Sequence, residues 1–117
     1  MRHGVKKIKL GSDKDHTKSI IRNIAMALII HEKVKTTETR ARAVMPFVER
    51  LINIAKTKDK LNAIRRIEQL LQHKNASKKI FEVLAERYKD RKSGYVRKTF
   101  LKYRKGDNAH LVLIELI

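Results

Sequence analysis

Seven residues at the C-terminus, Leu111-Val112-Leu113-Ile114-Glu115-Leu116-Ile117, carry a single polar side chain among them. A strand that is apolar on both alternate faces cannot lie at the edge of a solvated sheet, so this one must be covered by helices and sit centrally. It follows a turn signal, Lys105-Gly106-Asp107-Asn108, in which glycine supplies positive φ and the Asp and Asn side chains bond their own backbone. Before that turn comes a basic run. Residues 86–105 hold nine cations (Arg87, Lys89, Arg91, Lys92, Arg97, Lys98, Lys102, Arg104 and Lys105) against two acids, Glu86 and Asp90. The pattern predicts a hairpin with one arm in the core and one arm presenting charge, an arrangement suited to gripping a polyanion.

Charge is the second constraint. The 117 residues carry a formal net charge of +17, and self-repulsion at that density calls for a counter-charge. Nucleic acid is the first candidate and an anionic membrane surface the second. The length fits one domain with its own core. There is no cysteine, which excludes disulfides, thiolate metal sites and cysteine nucleophiles. The longest apolar run of the N-terminal half, Ile24 to Ile30, is far short of the roughly 20 residues of a membrane span. Met1-Arg2-His3-Gly4 leads straight into cations, without the apolar stretch of an export signal.

In chain order, residues 1–15 read as an extended basic tail and residues 16–117 as the globular body. Arg2, Lys6, Lys7 and Lys9 cannot pack together without an anion, so the tail is expected to order on binding. Fully extended, it reaches about 50 Å. A first helix is predicted from near Asp13 to His31, with Ile20, Ile21, Ile24, Ala25 and Leu28 inward and Lys14, Lys18 and Arg22 stacked along one edge. Lys33 to Thr37 is rich in β-branched residues and predicts a short strand, with Thr36 or Thr37 capping the next helix. That helix carries the stripe Ala41, Val44, Met45, Val48, Leu51, Ile52 and Ala55, and Pro46, the only proline, is expected to kink it or mark its proper start. Asp59 is predicted to cap a third helix ending near Gln72. Asn75 is read as the capping residue of a fourth, which buries Ile80, Phe81, Leu84 and Tyr88 and closes before Ser93-Gly94. Helix, strand, three helices and a two-stranded hairpin describe a two-layer α+β domain.

Catalytic signals are thin. The five histidines are scattered, and His31-Glu32 lacks the second histidine of a metalloprotease helix because Lys35 stands in its place. Asp13, Asp15 and His16 are flanked by Lys14 and Lys18, which oppose a divalent ion. The expectation is no metal, no cofactor, no small-molecule substrate and no enzyme. Recognition features are richer: Tyr95 and Tyr103 interleave with Arg97, Lys98, Lys102 and Arg104. Aromatics stack on exposed bases while guanidinium forks grip phosphates. Alternatively Tyr95, Phe100 and Tyr103 face the core. A mixture, with at least one of these rings buried, is the reading adopted. A DNA-binding architectural or regulatory protein, with the ribbon or a third helix carrying Arg65 and Arg66 in the major groove, is the alternative to RNA.

The ordered set of motifs resembles one family, the bacterial large-subunit ribosomal protein numbered seventeen in its series. The resemblance rests on Met1-Arg2-His3, His16, Arg22-Asn23 with Ala25 and Leu28, His31-Glu32, Lys35-Thr36-Thr37, Arg40-Ala41-Arg42 and Leu51-Ile52 with Ala55-Lys56. Its most specific part is C-terminal: Arg91, Gly94-Tyr95, Arg97, Arg104, Gly106-Asp107-Asn108-Ala109 and Ile114-Glu115-Leu116. Ser93-Gly94 stands where the family has a double glycine, Val96-Arg97-Lys98 where it has Thr-Arg-Ile, and Glu38-Thr39 where it has Leu-Pro. The resemblance implies a structural constituent of the large ribosomal subunit in the cytoplasm. It would bind large-subunit rRNA near the nascent-chain tunnel exit, beside neighbouring large-subunit proteins. On that reading the RNA contacts are Arg2, His3, Lys6, Lys7 and Lys9 in the tail, and His16, Lys18, Arg22 and Asn23 on the first helix. Lys35, Arg91, Tyr95, Arg97 and Arg104 complete the set. Gly94, Gly106 and Asp107 act through turn geometry.

Overall fold

A computed structural model describes residues 3–4, 8–57 and 59–117. The expectations for Arg2, Lys6 and Lys7 therefore lie outside the described residues.

Helix α1 spans Lys14–His31, and Asp13 caps it by accepting a 2.7 Å bond from the His16 amide. Lys14 and Asp15, reckoned with the tail from sequence, thus belong to its first turn. The helix stops at Glu32, whose left-handed backbone (φ 65°) turns the chain directly into strand β1, Lys33–Thr37. Helix α2, Glu38–Thr57, follows without a connecting residue, so neither Thr36 nor Thr37 stands outside the strand as a cap. Pro46 lies inside α2, which is helical on both sides of it.

Helix α3 spans Lys60–Leu71; Asp59 holds the capping position but its side chain makes no capping bond. Helix α4, Lys74–Lys79, is capped by His73, whose Nδ1 accepts from the Ala76 amide at 3.1 Å. The cap assigned to Asn75 from sequence therefore falls two residues earlier, with Asn75 inside the helix. The rod continues through a π turn, Ile80–Leu84, into a last helical turn, Ala85–Arg87. It buries Ile80, Leu84 and Tyr88 at four-residue spacing, while Phe81, expected among them, is only partly buried.

Strands β2 (Val96–Tyr103) and β3 (His110–Leu116) form the hairpin, and the sheet order is β1-β3-β2, antiparallel throughout. The apolar C-terminal strand is central. Its alternation fixes the layers: Val112, Ile114 and Leu116 are buried, while Leu111, Leu113 and Glu115 are partly exposed. Helices α1 and α2 pack on the buried side, joining Ala25, Leu28, Ala41, Val44, Val48, Leu51 and Ile52 to the sheet in one core. Helix α3 and the α4 rod close over those two helices. Among the described residues no element covers the other side of the sheet, and that open side positions the site.

Candidate nucleic-acid interface

The sheet register decides which cations share the open face. Lys33 of β1, Glu115 of β3 and Arg97 of β2 form one row across the three strands. Lys35, Leu113 and Thr99 form the next, and Thr37, Leu111 and Lys102 the third. Residues two apart on a strand repeat about every 7 Å, and neighbouring strands lie about 4.8 Å apart. Exposed Lys33, Lys35, Arg97 and Lys102 therefore flank a half-buried pair of leucines on one surface.

Glu115 is the acid of these rows and is already occupied: its Oε1 accepts from Arg97 Nε at 2.9 Å and Nη2 at 2.6 Å. Glu115 is 13% exposed and Arg97 60%, so the carboxylate lies under the arginine and holds its fork at the surface. The remaining guanidinium donors stay available to a phosphate.

The hairpin tip repeats this device. Asp107 receives Arg104 Nε at 3.0 Å and Nη2 at 2.5 Å, and accepts from the Ala109 amide at 3.2 Å. These bonds, Arg104's first, pull the Asp107 carboxyl down to about 2 and raise the Arg104 guanidinium. Asp107 braces the turn through these bonds, and Gly106 has φ 99°, the positive φ that glycine adopts without steric cost.

The loop before β2 departs from expectation at Tyr95. Its ring is fully buried, packed 5.0 Å from Tyr88, and its hydroxyl lies 2.6 Å from Asn53 Oδ1 and 2.9 Å from the Lys92 carbonyl. Lys56 donates to that hydroxyl at 2.7 Å, bonds the Arg91 carbonyl and lies over the ring. An enclosed ring with a saturated hydroxyl cannot stack on a base, so Tyr95 leaves the set of binding residues and becomes the clamp fastening this loop to α2. Arg91, bonded through Nη1 to the Gly94 carbonyl at 3.1 Å, is exposed on that loop, and Gly94 has φ 72°.

On α1, His16 and Asn23 are exposed two turns apart and share one side of the helix. Lys18 is exposed, while Arg22 is half-buried with Nε donating to the Leu70 carbonyl at 3.2 Å. Lys18 and Arg22 line a crevice between α1, α2 and α3 together with Arg66. His3 and Lys9 are exposed. Sequence reasoning missed Lys33, although its two-residue spacing from Lys35 was signal enough, and it left Lys102 out of the contact set.

A three-membered ion cluster ties the residue before β1 to the α4 rod. Glu32 receives Arg87 at 2.7 Å and Lys79 at 3.1 Å, and these bonds draw its carboxyl down to about 2. Among the described residues no three His, Asp or Glu side chains cluster to hold a metal ion, and no helix is long and apolar enough to cross a membrane.

Residues 20–117 match the family model described as ribosomal protein L17. A large ribosomal subunit protein bL17 from Chloroflexus aggregans is 44% identical over 117 residues, covering the whole of both chains. The bL17 of Wolbachia pipientis subsp. Culex pipiens (strain wPip) is 42% identical over 118 residues, covering all of this chain and 83% of its own. That of Desulforudis audaxviator is 40% identical over 109 residues, covering 93% of this chain and 96% of its own. By its matched span and by these full-length relatives, the chain belongs to the ribosomal protein L17 family.

Proposed function

We propose that the protein is a structural, non-catalytic constituent of a bacterial large ribosomal subunit, bound through its open sheet face and N-terminal segment to large-subunit rRNA. The observation that carries the reading is the sheet surface on which Lys33, Lys35, Arg97 and Lys102 face outward, their one acid already paired to Arg97. Helices packed behind the sheet set the backbone spacing of these cations before RNA arrives, and Glu115 also holds the Arg97 fork in place. The neighbours are other large-subunit proteins and the compartment is the cytoplasm. The position near the nascent-chain tunnel exit follows from the family resemblance.

The test is affinity for a large-subunit rRNA fragment as a function of salt. Each phosphate neutralised contributes a slope of about 0.7–0.9 in the log–log plot. Replacing Lys33 and Lys35 together by alanine is expected to lower the slope by about 1.4–1.8. Deleting residues 1–11, which spares the Asp13 cap, is expected to weaken binding and leave thermal unfolding of the body unchanged. A slope unaffected by the lysine changes, or duplex DNA of equal charge competing as well as structured RNA, would overturn the reading.

A further inference from the structure

The distal half of the hairpin carries a feature that neither the core nor the charged sheet face uses. Val96, Lys98 and Phe100 pair with Leu116, Ile114 and Val112, placing all three on the helix side of β2. The register then shifts between Phe100 and Lys102, so that Lys102 pairs with Leu111 and Tyr103 with His110. One extra residue in a strand inverts the facing of everything after it. Leu101 thereby returns Tyr103 to the same side as Phe100.

Three rings meet there. Phe100 lies 5.3 Å from Tyr103 and 5.8 Å from His110, and Tyr103 lies 4.9 Å from His110, with interplanar angles of 66°, 78° and 88°. Edge-to-face contacts of this kind hold the rings in fixed mutual orientation. Yet Phe100 is 51% and Tyr103 59% exposed. The core ends at Val112, and the rings overhang beyond it.

The surrounding charge selects what would cover them. Glu38, at the start of α2, is bonded to Lys98 at 3.3 Å and to His110 Nδ1 at 3.1 Å, and Lys98 draws its carboxyl below the ordinary range. Asp107 is paired with Arg104. Both nearby acids are thus neutralised, while Lys105 at the hairpin turn makes no ion pair among the described residues. Exposed aromatic ring faces beside surplus cations at the turn match a nucleobase attached to phosphates better than an aliphatic protein surface. Base faces are accessible in single-stranded loops, bulges and ends, not inside a duplex.

We infer that the exposed ring faces of Phe100, Tyr103 and His110 stack an unpaired base of RNA, with Arg104 and Lys105 of the hairpin turn on the adjoining phosphates. This rests on the RNA-binding reading and adds a base-recognising subsite to it.

The full chain is tested with two probes: a single-stranded oligoadenylate of about a dozen nucleotides and an inorganic polyphosphate of matched charge. Phe100→Ala and Tyr103→Ala should each weaken oligoadenylate binding about 5- to 150-fold, the range of one lost base stack. Both should leave polyphosphate affinity and the salt slope on rRNA unchanged, and Tyr103→Phe should bind like wild type. Because both rings are half exposed, thermal unfolding should stay near wild type in the alanine variants. Unchanged oligoadenylate affinity in both variants, or an equal loss toward polyphosphate, overturns the platform while the rRNA reading stands. Variants that bind oligoadenylate normally yet fail to enter ribosomal particles would mark the patch as a protein contact and also overturn it. A wild-type chain indifferent to rRNA itself overturns both readings.

Discussion

Tyr95→Phe removes one oxygen atom from a fully enclosed site, so its effect can be worked from the bonds that oxygen makes. The hydroxyl donates toward Asn53 Oδ1 at 2.6 Å and accepts from Lys56 Nζ at 2.7 Å. Hydrogen bonds to a charged group contribute about 1.5–3 kcal/mol, and a buried acceptor left unpaired costs about 1–3 kcal/mol. Asn53 and Lys56 are only partly buried, so water recovers some of this, and Lys56 keeps its bond to the Arg91 carbonyl. The net loss should be about 2 kcal/mol. For a chain of this size that lowers Tm by about 6–12 °C, and the urea midpoint should fall with the m-value unchanged. At 25 °C, where the variant stays folded, rRNA affinity should change by less than about twofold, because the ring touches no RNA and Phe fills the same volume. Unaltered stability combined with a large loss of RNA affinity would refute the reasoning, since it would mean that the hydroxyl faces RNA and not α2.

Two further perturbations test the electrostatics and the turn. The Glu32 carboxyl is depressed from 4.5 to about 2, so its contribution is complete above pH 4.5 and disappears as pH falls toward 2. Its side chain is about a third exposed, and with that screening the contribution should be about 1 kcal/mol. Glu32→Gln should therefore lower the urea midpoint at pH 7, and the gap to wild type should close near pH 2; a gap that persists there would contradict the ion pair. Gly106 has φ 99° with open space where a Cβ would sit, so Gly106→Ala meets only backbone strain and should cost about 1–2 kcal/mol in thermal unfolding. A neutral substitution would show that the turn accommodates a side chain.

Where a boundary is written in local chemistry, the sequence was enough to find it. Asp13 starts α1, the segment Lys33–Thr37 rich in β-branched residues makes β1, and the unbroken apolar Leu111–Ile117 segment is the central strand, although helices cover only one of its faces and Leu111 and Leu113 lie on the open one. Tyr95 was not legible in the same way. A tyrosine within a basic run suits either a base or a core, and the partners that decide, Asn53 and Lys56, lie about forty residues upstream. His73 displaced Asn75 as a cap because an imidazole nitrogen accepts an amide bond as an amide oxygen does, so residue type alone could not choose between them. The bulge at Leu101 leaves no local signature, and from strict alternation Tyr103 would be assigned to the wrong side of β2. Arg97 and Arg104 were picked as cations, but the acids that orient them, Glu115 and Asp107, became their partners only through strand register and turn closure.

One asymmetry is central to the proposed function: RNA is expected to meet the open sheet face, with the α3–α4 side turned away from it. Lysine acetylation read by mass spectrometry, with and without a large-subunit rRNA fragment at low salt, measures this residue by residue. Lys33, Lys35 and Lys102 should be protected by RNA, while Lys60, Lys74 and Lys78, which line the cleft between α3 and α4, should react as in the free protein. Protection of the cleft lysines with Lys33, Lys35 and Lys102 left reactive would contradict the account.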